Sequence, residues 1–184
     1  MKSLWKMKGY ERIMALLMGF CFASLSIMVV QCSDDPGDDI VPNPVRTEYE
    51  KWIVEEPGTD YVCALGTPFK FFVNYSKYSN NLVIYFEPGG ACWQYDMCNP
   101  DVPSHLGASH LDGVNDDLID LWGNLATPFL QRANADNPFQ DWNMIFIPYC
   151  TGDVHIGNNV KIYEDPDSDE SVTIYHNGYE NTQT

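Results

Sequence analysis

Positive charge is scarce in this sequence. Its 184 residues carry 10 Lys and Arg against 26 Asp and Glu, a formal net charge of -16. A phosphate backbone requires a basic face, so nucleic acid is excluded as a partner. Histidine is also scarce, at four residues, and no Cys-x-x-Cys or His-rich pair accompanies the cysteines. Without that spacing metal binding is the weaker reading, and neither a metal nor a cofactor is expected. Apolar and aromatic residues are plentiful, at 45% and 14%. That excludes disorder for most of the chain and fits one globular domain with a real core.

Charge is missing altogether from Ile13 to Val30, IMALLMGFCFASLSIMVV. Lys2, Lys6, Lys8 and Arg12 precede this run and QCSDDPGDD follows it. Residues 1–31 therefore read as a signal peptide or lipoprotein signal rather than a core helix. Cys32 stands where a bacterial lipoprotein carries its lipidated cysteine, although Gln31 replaces the small residue usual before it. Simple cleavage and a retained anchor are the alternatives. Either membrane attachment or export to the outer membrane, cell surface or periplasm follows. Four basic residues and one acidic residue, Glu11, would leave with the segment, taking the net charge from -16 to -19. Residues 32–58 read as an acidic linker, richest in Asp, Pro and Gly over 32–47.

From Thr59 the pattern turns globular. Phe69–Asn74 reads as a strand, and Leu82–Glu87 as an apolar strand buried on both faces. SKYSNN between them predicts a hairpin. Residues 99–113 read as loop. Leu118, Leu121, Trp122 and Leu125 fall at helical spacing within Asp116–Gln131, and Pro128 should end or kink that helix. Met144–Pro148 reads as a second buried strand. Val160–Tyr163 and Val172–Tyr175 form two short strands around EDPDSDES. Asn181 reads as a helix N-cap with almost no helix behind it. Outside the leader, Cys63, Cys92, Cys98 and Cys150 remain, an even number that predicts disulfides in an exported domain. Three pairings are possible, and Cys92 with Cys98 is the economical one.

The stretch Tyr85–Trp93 reads YFEPGGACW. A strand that runs into Gly-Gly exposes backbone N–H groups at its carboxyl end. Such groups stabilise a developing oxyanion by about 3 kcal/mol per donor. A tight turn pinned by Cys92 and Cys98 explains the same residues without any chemistry.

FEPGGACWQYDMC, NPFQDWNMIFIPYCTGDVHIG and YHNGYENT, in this order, resemble the pectinacetylesterase family, with Notum-type carboxylesterases more distant. The resemblance spans roughly residues 60–184. It implies an α/β fold of the α/β-hydrolase type and a serine esterase that removes acetyl or acyl groups from a carbohydrate or related hydroxyl ester. It matches Gly89 and Gly90 to oxyanion-hole glycines, Cys92 and Cys98 to a small disulfide loop beside the site, and Trp93 to an aromatic next to that loop. Pro88 departs from the family's usual glycine and has no N–H to donate.

A second departure concerns the nucleophile. The family places it in a Gly-x-Ser-Ala-Gly type elbow beyond the region matched here, and no such motif occurs in this sequence. Gly107-Ala108-Ser109 alone puts a Ser two places after a Gly, and it lies in a polar loop rather than at a strand-to-helix turn. Ser109 therefore reads as an incidental loop serine. The expected chain is the first half of a hydrolase sheet, truncated before the nucleophile elbow and inactive alone. Asp153 and His155 follow a strand and read as site-lining or loop-ordering residues. His176 reads as structural. Asp165, Asp167, Asp169 and Glu170 alternate as in a calcium loop, but Glu170 and His176 stand where Gly and Glu belong, so a solvated acidic turn is the better reading. Trp93, Trp122 and Trp142 are either core or a sugar platform, and a non-catalytic glycan-binding lipoprotein is the alternative function. An unfinished sheet would also favour self-association through its edge.

Overall fold

The computed structural model describes residues 27–30, 48–102, 110–117, 119 and 127–183. Its main sheet contains β1 (Ile27–Val30), β2 (Trp52–Glu55), β3 (Phe71–Asn74), β4 (Leu82–Phe86) and β5 (Asn143–Ile147), in the order β1-β4-β5-β3-β2. β4 and β5 are parallel and the other neighbours antiparallel. A separate hairpin pairs β6 (Asn159–Glu164) with β7 (Ser171–His176). Two short helices, α1 (Tyr95–Cys98) and α2 (Gly178–Asn181), and a 3-10 turn at Pro128–Leu130 complete the described elements.

The expected hairpin between β3 and β4 does not form, because β5 lies between them. Their connection instead arches over the start of β5, and Asn143 fastens it. The Asn143 side-chain oxygen accepts the Ser76 N–H at 3.0 Å, and its amide donates to the Ser79 and Asn81 carbonyls at 2.9 and 3.0 Å. Arg132 clamps the neighbouring turn. Its guanidinium donates to the Asn74 side chain and to the Asn74, Gln140 and Trp142 carbonyls. Burial among neutral carbonyls pushes its pKa down.

The sheet faces differ. On one, Phe72, Phe146 and Tyr85 are cross-strand neighbours, with ring centroids 5.8 and 5.9 Å apart. Val114, Ile119 and Leu130 cover them. On the other, Phe71, Ile84, Phe86 and Ile145 are only half-buried around Cys63, Phe69, Ile147 and Cys150. β4 therefore alternates between buried and half-buried residues and is not buried on both faces as expected. A groove of about 1020 Å³ runs along this face near the arch, lined by Tyr49, Phe71, Tyr75, Tyr78 and Leu82.

Other expectations shift. β2 lies within the stretch read as linker, so pairing begins before Thr59. β1 comes from the apolar run read as a leader and pairs with β4 as an edge strand of the sheet. Asn181 ends α2 rather than capping a later helix, because its amide donates to the Val62 carbonyl at 2.9 Å. The helix expected over Asp116–Gln131 lies largely outside the described residues, as do Cys32, Ser109 and Trp122.

Candidate active site at the carboxyl end of β4

The parallel pairing of β4 with β5 continues one residue past the strand, where the Glu87 N–H donates to the Ile147 carbonyl at 2.9 Å. Glu87 is 1% exposed. One carboxylate oxygen accepts the Tyr149 N–H at 2.9 Å, and the other lies 3.3 Å from His110 Nε2. A buried carboxylate therefore fixes the root of the loop.

Gly89 then crosses the face of Tyr149. A Cβ at residue 89 would sit 2.1 Å from a ring carbon, closer than any real contact. The close approach required there is made by an aromatic ring of the protein itself. Further along, the Cys92 N–H donates to the Gly152 carbonyl at 2.8 Å, and Cys92–Cys98 is bonded at 2.00 Å. The loop is thus held at Glu87, Gly89 and Cys92. Between these points, and among the described residues, the Gly89 and Gly90 N–H groups have no hydrogen-bond partner. Pro88 and Gly89 are exposed and Gly90 half-buried. Pro88 has no N–H, so the free donors of this stretch are the N–H groups of Gly89, Gly90 and Ala91.

The turn after β5 brackets the loop from the other side. Tyr149, 1% exposed, accepts the Val154 N–H on its hydroxyl at 2.8 Å. Burial pushes this phenol up to about 12. Val154 and His155 both have φ near +60° (60° and 61°), a left-handed conformation that is strained for a β-branched residue. This turn carries the His155 ring onto Tyr149 and Phe86, with centroids 4.8 and 5.2 Å away, and sets Nε2 3.0 Å from the Glu87 carbonyl. The carbonyl can only accept, so Nε2 carries the proton. Burial lowers the His155 pKa, outweighing the hydrogen bond to Glu87 that raises it.

Asp153 orders the turn rather than facing a partner histidine. One oxygen accepts the Thr151 hydroxyl at 2.6 Å and the His155 N–H at 3.1 Å; the other accepts the Gly178 N–H at 2.7 Å. A Cβ at Gly157 or Gly178 would collide with this carboxylate at 2.5 or 2.3 Å. His176 is also tied up: Nδ1 lies 3.2 Å from the Thr151 carbonyl and Nε2 3.0 Å from the Tyr163 hydroxyl. Trp93 is 61% exposed beside the loop, whereas Trp142 packs edge-on against Phe139. Cys63 and Cys150 form the second disulfide, at 2.08 Å.

Sequence reasoning misses Glu87, His110 and Tyr149. Glu87 carries a signal, since a carboxylate that ends an apolar strand is either exposed or partnered. The Tyr149–Gly89 contact carries none.

The described residues form a mixed sheet with one parallel strand pair and unpartnered amides at the carboxyl end of one of its strands. Residues 45–184, more than half of the chain, match the pectinacetylesterase family model. The chain belongs to that family. No curated protein matches it.

Proposed function

We propose that this chain contributes the oxyanion-binding part of a serine carboxylesterase that removes acetyl or acyl groups from hydroxyls of a carbohydrate. One observation carries the reading: two adjacent N–H groups, unpartnered among the described residues, are held rigidly at a strand end. In such a reaction a serine attacks the ester carbonyl, a histidine takes its proton, and these amides bind the negative oxygen that forms. Glu87, Tyr149 and His155 position the amides in advance, so little reorganisation accompanies charge development.

The sequence contains no Gly-x-Ser-x-Gly elbow, so these 184 residues alone do not turn over ester. p-Nitrophenyl acetate should be hydrolysed no faster than in buffer. Stoichiometric labelling by a serine-reactive phosphonate would overturn that, and loss of the label in Ser109→Ala would make Ser109 the nucleophile. A reading frame that continues into such an elbow would join the amides to their nucleophile. We further propose export through residues 1–31 with lipid on Cys32; cleavage there removes β1, so the exported form has β4 rather than β1 at that edge of the sheet. The two disulfides favour an oxidising compartment. Palmitate labelling that survives Cys32→Ser would refute the lipid site. A glycan-binding role without cleavage draws on the exposed Trp93; pull-down on pectin without acetate release would select it.

A further inference from the structure

Glu87 is the hub of the loop root, and all its polar atoms but one are matched. Its N–H donates to the Ile147 carbonyl at 2.9 Å, its carbonyl faces His155 Nε2 at 3.0 Å, and Oε2 accepts the Tyr149 N–H at 2.9 Å. Oε1 has no hydrogen-bond partner among the described residues. At 1% exposure of the residue, bulk solvent does not meet that deficit. His110 Nε2 is buried in the same state, and it lies 3.3 Å from Oε1. This is just beyond the usual N–H···O range of about 2.7–3.2 Å. The fold delivers His110 to that point. Its φ is 61°, and a left-handed residue persists only where its surroundings over-determine it. The Gly113 N–H donates to the His110 carbonyl at 2.8 Å, and the Leu65 N–H to the Leu111 carbonyl at 3.0 Å. Leu111, 4% exposed, packs in one cluster with Ala64, Cys92 and Tyr149. The imidazole is therefore presented from an anchored turn to the one carboxylate oxygen that lacks a donor.

We propose that His110 is a positioning residue of the glycine loop: it carries hydrogen on Nε2 and donates it to Glu87 Oε1, which fixes the direction of the Gly89 and Gly90 amides. The inference rests on the esterase reading for what those amides bind, but the positioning is read without turnover. A lone pair on Nε2 would instead oppose a buried carboxylate oxygen with no hydrogen between them. The pair as it stands lacks hydrogen-bond geometry, and a turn of the His110 ring supplies it. A bond to a carboxylate is stronger than one between neutral groups. It leaves Glu87 held at every polar atom, and Pro88 and Gly89 follow directly in the chain. Gly89 is then caught between this fixed root and the Tyr149 ring.

The first test needs no substitution. In the ¹⁵N imidazole spectrum of the histidine-labelled chain, His110 Nε2 should carry a hydrogen protected from exchange; a lone pair at Nε2 overturns the proposal. Two variants then share the same left-handed backbone cost. His110→Leu removes the donor, and His110→Gln keeps an N–H at similar reach. In the parent, ¹⁵N relaxation should give Gly89 and Gly90 order parameters near the rigid value of about 0.85. In His110→Leu these should fall below about 0.6. The Tyr149 N–H, which shares the Glu87 carboxylate, should exchange about tenfold faster there. His110→Gln should restore both readings. Glycines that stay rigid in His110→Leu, or equal losses in the two variants, overturn the proposal, and if His110→Leu does not fold the imidazole spectrum decides. Failure of the esterase reading shows separately, as no acetate release by the complete reading frame's product, and moves none of these signals.

Discussion

The two ends of the β4–β5 pair solve the same problem differently. At the amino end, the arch from Tyr75 to Asn81 places buried polar groups over the start of a strand, and Asn143 and Arg132 spend their donors on carbonyls and side-chain oxygens there. At the carboxyl end Glu87 is buried, the glycine loop beyond it is more open, and the matching is incomplete. One Glu87 oxygen and His110 Nε2 face each other at 3.3 Å without hydrogen-bond geometry, and two glycine amides stay open. The arch leaves open N–H groups of its own, at Lys77, Ser79 and Asn80, so it is the fixing of Gly89 by Tyr149 and of the loop root by Glu87 that distinguishes the carboxyl end.

The contrast breaks most severely at Asp153. Asp153 accepts two hydrogen bonds within the turn after β5 and one from Gly178 of α2, so Asp153→Ala should cost about 3 kcal/mol and lower Tm by roughly 10 °C. A drop under about 2 °C in a thermal melt would remove Asp153 as the tie. At the arch, Asn143→Ala should cost about 2 kcal/mol through the acceptors and donor it abandons. Its chemical-shift changes in an ¹⁵N spectrum should leave Gly89 and Gly90 unmoved. Movement of both would show that the two ends are coupled.

Gly89→Ala should destabilise by about 1–3 kcal/mol, because its methyl group meets the Tyr149 ring. Combining it with Tyr149→Ala should cost less than the sum of the two single changes. Additive losses would mean the ring and the loop do not press on one another.

Acid separates the ends more gently. Burial holds His155 below its ordinary value of 6.5, so the unfolded chain takes up a proton that the folded chain refuses. This residue's contribution is complete above about pH 6.5 and declines as the pH falls through the lowered folded value. Urea titrations of His155→Gln should show a shallower loss of stability between about pH 7 and 5 than the parent; parallel curves would contradict it. The smallest effect belongs to Val154→Gly, which relieves a left-handed valine and should stabilise by about 1 kcal/mol. A lower Tm would mean that the side chain matters more than the backbone.

Strands with a strong apolar pattern are legible in the amino-acid sequence. β4, β5, β6 and β7 fall within a residue or so of the runs that predict them. Strand order is not legible, because the insertion of β5 between β3 and β4 depends on contacts between segments far apart in the chain. β2 is hidden by its length and by the acidic residues around Trp52–Glu55. The glycine loop is legible as a motif. Its support is not: Tyr149, the Glu87 carboxylate and the strained Val154–His155 turn meet it only in three dimensions.

Tyr149 closes one side of Gly89. Any group that approaches Gly89 therefore has only the side away from the ring open to it, and the loop's accessible surface is one-sided before anything binds.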